Sequence, residues 1–205
     1  MSTSKVKPED ITQIKEEGNK AYKNENYYKA ILFYEEGVRR CEDYYKNWKD
    51  NMPFRCEFGE NPKLEVGCMY LQDFTRLKSV LFNNISTCYF HLNSIPKADQ
   101  YNDMALMEDP DFAKALYRKC MILEKKGEFT NGHHIANFAI ARFDSEFEEE
   151  ENRKIVPKFV EMKERFKVKI PYETKTKTDN LEKEVEKELS EYNVSALDDL
   201  HFSLG

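Results

Sequence analysis

Glycine and proline are scarce in this chain of 205 residues, with seven of each. That is too few for an all-β fold, which would need a turn every few residues. Positive charge is not in excess either: the net charge is −6 and the pI is near 5.4. A sequence-independent nucleic-acid binder needs basic surface, so that class is set aside, although a local basic groove on an acidic protein stays open. No run of about 18 apolar residues exists, so no membrane span is expected. The opening Met1-Ser2-Thr3-Ser4-Lys5 has no apolar stretch, which argues against a secretory signal. The cysteines, Cys41, Cys56, Cys68, Cys88 and Cys120, are odd in number and widely spaced. Three of them fall in helical patterns, where a reduced thiol acts as a small hydrophobe, so a reducing compartment and hence the cytoplasm is expected. A phosphate-cradling glycine loop, a nucleophile elbow and zinc-ligand spacing are all missing, so neither enzyme nor cofactor is expected. His133 and His134 are adjacent, and on a helix they would point about 100° apart, too far to share a metal. Glu148 to Glu151 lack the alternating ligands and glycine of a calcium loop and read as a solvated helix start.

What the chain does have is a period. Ala98 and Gly132 are 34 residues apart, as are Ala105 and Ala139, and Ala30 precedes Ala98 by 68, two periods. Small residues at a fixed 34-residue spacing signal stacked helix-turn-helix units, because small side chains let two helices cross closely. Tyr22, Tyr27, Ala30, Tyr34 and Gly37 answer to Tyr89, Ile95, Ala98 and Ala105. A third set is Leu123, Phe129, Gly132 and Ala139, and Pro110 ends the second unit.

Helix one is expected to open at Pro8-Glu9-Asp10, with acidic residues at the positive end of its dipole. Asn24-Glu25-Asn26 turns into a second helix striped by Ala30, Ile31, Phe33, Tyr34 and Val38. From about residue 45 to 72 the small-residue anchors fail, and Leu64 stands where an alanine should. The segment is read as an insertion, and Trp48, Phe54, Phe58 and Met69 make it apolar enough to pack on the repeats. Helix three is expected from about Asp73, with Asn93-Ser94-Ile95-Pro96 turning into helix four. Helix five spans Phe112 to Lys125, Lys126-Gly127-Glu128 turns, and helix six ends near Phe143. Over about 150–168, Ile155, Val156, Phe159, Val160, Met162 and Phe166 form an apolar face that would cap the open end of the array, with Pro157 tolerated near its start. Residues 171–205 are charged and poor in core residues, so a flexible or marginally helical tail is expected. Val194, Leu197, Leu200 and Phe202 would be a docking motif there.

Two pairs of polar residues stand at helical spacing. Lys15 and Asn19 share a face of helix one, and Lys114 and Arg118 share a face of helix five. Asn84 takes the corresponding register on helix three. Cations and amides of this kind suit a C-terminal aspartate, which offers two carboxylates. Lysine and arginine give charge-assisted hydrogen bonds, arginine through two parallel donors, and asparagine serves carboxylate and peptide backbone alike. Each such bond contributes about 1.5–3 kcal/mol where solvent is partly excluded.

Period, anchors and terminator together resemble the tetratricopeptide repeat family, with repeats over about 11–44, 79–110 and 113–146. The resemblance implies an all-α, right-handed superhelical solenoid of three helix-turn-helix units plus a C-terminal capping helix, with an insertion between repeats one and two. The repeat domain would occupy about residues 1–170. Within the family, Lys15 to Lys23, Phe82 to Ser86 and Lys114 to Lys119 are similar to the three contact helices of dicarboxylate-clamp co-chaperones. By that resemblance Lys15, Asn19, Asn84, Lys114 and Arg118 would bind the carboxylates of a Glu-Glu-Val-Asp ending, carried by cytosolic chaperones of the heat shock protein 90 and/or 70 classes. Tyr22, Thr87 and Phe90 would line the pocket for the preceding apolar side chains. His91 departs from the pattern, standing where many clamps carry lysine, and leaves selectivity open. The long third helix after an insertion is most similar to the repeat domain of large immunophilins, here expected without a prolyl isomerase domain. Two other readings stay open. One is a scaffold that assembles a complex through its convex face, insertion or tail. The other is a thiol enzyme using Cys88 or Cys120.

Overall fold

The computed structural model describes residues 8–50, 62–145 and 148–202, and all the regular structure among them is helical. In chain order the helices are α1 (Pro8–Lys23), α2 (Tyr27–Asp50), α3 (Pro62–His91), α4 (Ile95–Glu108), α5 (Ala113–Lys126), α6 (Phe129–Phe143), α7 (Glu150–Arg153) and α8 (Val156–Phe202). Helices α1 and α2, α3 and α4, and α5 and α6 pack as three hairpins, and α3 touches both α1 and α5. The result is an all-α helical solenoid closed at one end by α8.

The 34-residue period is visible as a hydrogen-bond pattern. In each hairpin turn one backbone N–H reaches five residues back: Asn26 to the Ala21 carbonyl, Ser94 to that of Tyr89 and Glu128 to that of Leu123, at 3.0, 2.9 and 2.9 Å. This is the bonding of a left-handed helix cap. It requires a positive φ in each turn, supplied by Glu25 (56°), Asn93 (55°) and Gly127 (74°), and glycine adopts that conformation without steric cost. Inside the hairpins the small anchors Ala30, Ala98, Ala105 and Ala139 are fully buried. Close approach at Ala98 and at Gly132 is fixed by a side chain from the first helix of the unit. The Ser86 hydroxyl donates to the Ala98 carbonyl at 2.7 Å, and the Cys120 thiol to that of Gly132 at 3.8 Å.

Two corrections concern the insertion. Helix α2 runs to Asp50 rather than ending near residue 44, and α3 begins at Pro62 rather than near Asp73. Proline at a first helical position loses no hydrogen bond, so Pro62 starts a helix where a loop was expected. Stacking of Tyr44 on Phe74, with ring centroids 3.8 Å apart, packs α2 against α3 at the base of the two extensions. Phe54 and Phe58 lie outside the described residues, as do the side chains of Trp48 and Met69.

The capping element is also corrected. It is two helices, not one over 150–168, because Pro157 has no N–H and its ring would clash with the Arg153 carbonyl four residues back. Proline is tolerated in the first turn of α8. From there Val156, Phe159, Met162 and Phe166 bury one stripe of α8 beneath α6. The helix does not stop near residue 170: α8 runs through Pro171 to Phe202, which takes the helical alternative for the described part of the tail. Its next turn is anchored by Glu173, which is 7% exposed. One carboxylate oxygen accepts the Thr130 N–H at 2.7 Å and the Thr130 hydroxyl at 3.1 Å, satisfying an otherwise orphaned donor in the first turn of α6. Lys177 holds the other oxygen. Beyond the proline, the hydroxyls of Thr174, Thr176 and Thr178 bond to the carbonyls four residues back.

Two outcomes are expected. A Cβ on Gly132 would come within 2.6–2.9 Å of the buried Phe166 ring. Overpacking costs about 1–3 kcal/mol and exceeds the helix-propensity gain of up to about 1 kcal/mol. Gly132→Ala should therefore lower the denaturation midpoint, and an unchanged midpoint would show that α8 yields freely. Glu173→Gln should cost about 1–2 kcal/mol at neutral pH. Burial raises the Glu173 carboxyl, but the bonds from Lys177 and Thr130 outweigh it and the net shift is downward. A carboxylate with a depressed folded value stabilises above its unfolded value, about 4.3, and loses that stability as pH falls through the folded value. In urea denaturation the gap between wild type and Glu173→Gln should accordingly be full above about pH 5 and close below it.

Candidate functional site

The five singled-out residues lie on α1, α3 and α5, the helices that touch one another along one row. Asn19 is oriented from both sides: its Oδ1 accepts the Tyr34 hydroxyl at 2.8 Å, and its Nδ2 donates to Glu16 at 3.2 Å. Lys15 lies 3.8 Å from the same Glu16 carboxylate. Asn84 is half-buried on α3. Lys114 is exposed in the first turn of α5 and makes a 2.8 Å ion pair with Glu151 of α7.

Arg118 is the unusual member. Its guanidinium is 5.0 Å from the centre of the Phe90 ring, and its Nη1 donates to the Met121 sulfur at 3.7 Å. Among the described residues no carboxylate lies within ion-pair distance of it. Burial holds its pKa below the ordinary arginine value, against the opposing pull of Tyr22, Tyr117 and Cys88. Buried charges are ordinarily paired, because an unpaired one forfeits its hydration for nothing.

Tyr22, Thr87 and Phe90, the residues expected to line an apolar pocket, have the following neighbours. Phe90 lies beneath Arg118, and Arg118 is close enough to Tyr22 to lower its phenol pKa, although burial raises it further. The Thr87 hydroxyl is spent on the Asn83 carbonyl of its own helix, at 2.8 Å. His91 joins this group: its Nε2 is 2.9 Å from the Tyr22 hydroxyl, and Tyr27 stacks on its ring with centroids 5.1 Å apart. A histidine in place of lysine therefore ties the end of α3 to α1. Tyr22 and His91 are 69 residues apart, and no local pattern announces the link.

A cavity of about 460 Å³ opens between α3, the start of α5 and the α7 region. It brings Asn84 and Lys114 together, but Lys15, Asn19 and Arg118 do not line it. Its further lining includes Asn83, Arg76, Lys158 and Glu151, none of which the sequence singled out as site residues.

No protein-family model matches the chain. Protein unc-45 homolog B of Xenopus laevis is 26% identical over 125 residues, covering 61% of this chain and 10% of that protein. The homolog from Xenopus tropicalis matches to the same extent. The chain thus spans about a tenth of the length of these curated relatives. Among solved structures, yeast Tom70 is similar at 18% identity and a TM-score of 0.45, over 82% of this chain and 27% of that one. The Hsp90 co-chaperone Cns1 from Saccharomyces cerevisiae is similar at 17% identity and a TM-score of 0.49, over 84% and 45%. On its own helix order and packing, the chain is an all-α helical solenoid of three hairpins and a closing helix.

Among the described residues no cluster of histidine, cysteine and carboxylate groups could hold a metal, and no helix is long and apolar enough to cross a membrane. The His133 and His134 rings lie 6.2 Å apart at 80° and do not converge. Cys88 and Cys120 are fully buried, and burial pushes both thiols up to about 12. Near neutral pH neither supplies the thiolate that nucleophilic chemistry needs. Iodoacetamide should modify both slowly in the folded protein at neutral pH and fast after urea unfolding. Rapid labelling of either one in the native state would restore the thiol reading.

Proposed function

We propose that the chain is a cytoplasmic, non-enzymatic co-chaperone adaptor. It grips the Glu-Glu-Val-Asp C-terminus of heat shock protein 90 and/or 70 chaperones through a dicarboxylate clamp formed by Lys15, Asn19, Asn84, Lys114 and Arg118. The observation that carries this reading is Arg118, a desolvated cation without a carboxylate partner among the described residues, above an aromatic ring and next to Tyr22. A peptide carboxylate would supply the missing charge through the two-pronged bonding that arginine favours. Tyr22, Thr87 and Phe90 would take the preceding apolar side chain. Within the clamp-bearing proteins the pattern is nearest to the large immunophilins. The insertion over 45–72, or the residues beyond 170, would recruit a client or a second factor. Against this stands a scaffold reading, favoured by Tyr28 and Leu32, which are 70% and 66% exposed one turn apart on α2. In that case Tyr28→Ser/Leu32→Ser would abolish complex assembly while groove variants left it intact.

Calorimetric titration with a peptide ending Met-Glu-Glu-Val-Asp, beside the same peptide amidated at its terminus, tests the clamp. Micromolar binding lost on amidation is expected. Lys114→Ala and Arg118→Ala should each weaken binding tenfold or more, about 1.4 kcal/mol, without lowering the melting temperature. Unchanged affinity in the double variant would refute the clamp.

A further inference from the structure

The connection between α6 and α8 carries four consecutive glutamates, Glu148 to Glu151, and the structure gives two of them to the chain's own scaffold. Glu148 is held by Arg142 at 2.7 Å and by Asn152 at 2.8 Å, and Arg142 is itself braced on Asp111 at 2.9 Å. Glu150 pairs with Lys154 along the chain at 2.8 Å. Glu151 reaches instead across to α5, where its carboxylate accepts from Lys114 Nζ at 2.8 Å, a contact spanning 37 residues. Hydrogen bonding and charge from Lys114 hold the Glu151 carboxyl below the usual range, with further contributions from Arg76 and Lys154. Lys114, Arg76 and Lys154 line the same cavity with Asn84 and Lys158, alongside the carboxylates of Asp109, Asp111 and Glu149.

We propose that this cavity is a carboxylate-binding site that the chain itself occupies. Glu151 stands where a carboxylate of an acidic peptide would bind Lys114, and the α6–α8 connection is thus a tethered competitor for the clamp. This rests on the clamp reading above and adds to it a ligand made by the protein. The strength of the contact suits such a role. Both partners are largely exposed, 62% for Lys114 and 73% for Glu151, so the pair is weak enough for a tighter ligand to displace. Being tethered, it competes at an effective concentration on the order of millimolar, independent of the amount of protein. An incoming peptide that also engages Arg118 and Asn84 has partners that Glu151 lacks, and it wins by them.

The full chain is titrated with the Met-Glu-Glu-Val-Asp peptide as wild type, as Glu151→Gln and as Glu161→Gln. Glu161 is an exposed α8 residue that pairs with Arg165 and does not line the cavity. Removing one exposed ion pair should tighten binding about two- to fivefold in Glu151→Gln. The change in net charge is the same in Glu161→Gln, which should bind as wild type. Peptide binding that is equal in wild type and Glu151→Gln overturns the competitor and leaves the clamp standing. Equal tightening in both variants also overturns it, since long-range charge then suffices. Absence of binding in wild type and Glu151→Gln alike overturns the clamp reading itself.

Discussion

Close approach of two helices at a small residue organises the molecule. Ala98 and Gly132 bring the second helix of their units so near the first that Ser86 and Cys120 bond to their carbonyls. A larger side chain at fully buried Ala98 would crowd this contact, and one at Gly132 would run into the Phe166 ring of α8, because packed interiors have no slack to absorb even a methyl group. From that spacing follows the side-by-side row of α1, α3 and α5. Everything that resembles a binding site is hung on this row, since residues one helical turn apart on neighbouring helices face the same side only while the hairpins keep their pitch.

The row concentrates charge in two different ways. Lys15, Asn19 and Lys114 are tied to nearby carboxylates in weak, solvated pairs that cost little to break. Arg118 has been drawn from water onto an aromatic face with no such partner among the described residues. The asymmetry matters for binding. A ligand that pairs with Arg118 recovers the hydration already lost, whereas one that pairs with Lys114 must displace Glu151. In the proposed clamp Arg118 would be the strong anchor and Lys114 the contested one, one helical turn apart.

At the far end, α8 does more than cover apolar surface. Phe166 fills the space that Gly132 leaves open, and Glu173 bonds to Thr130 in the first turn of α6. Packing and polar satisfaction thus hold the same joint, on either side of Pro171. The proline removes one backbone donor from the ladder, and the anchored turn after it compensates.

The sequence by itself determined the parts that repeat. Ala30, Ala98 and Gly132, the turns around Asn26, Ser94 and Glu128 and the stop before Pro110 could all be read from it. Their physics is local, between a helix and the neighbour one turn away in the chain, so a 34-residue period suffices to reveal it. Even the residue types of the proposed clamp were legible, because the same register recurs on three helices. Tertiary structure decided the rest. Whether Arg118 had a partner, that His91 would bond to Tyr22, that Glu151 would reach Lys114 and that Glu173 would carry α8 past Pro171 depend on groups 37 to 69 residues apart. No spacing rule links them, and a charged side chain's neighbours are set only when the helices have packed.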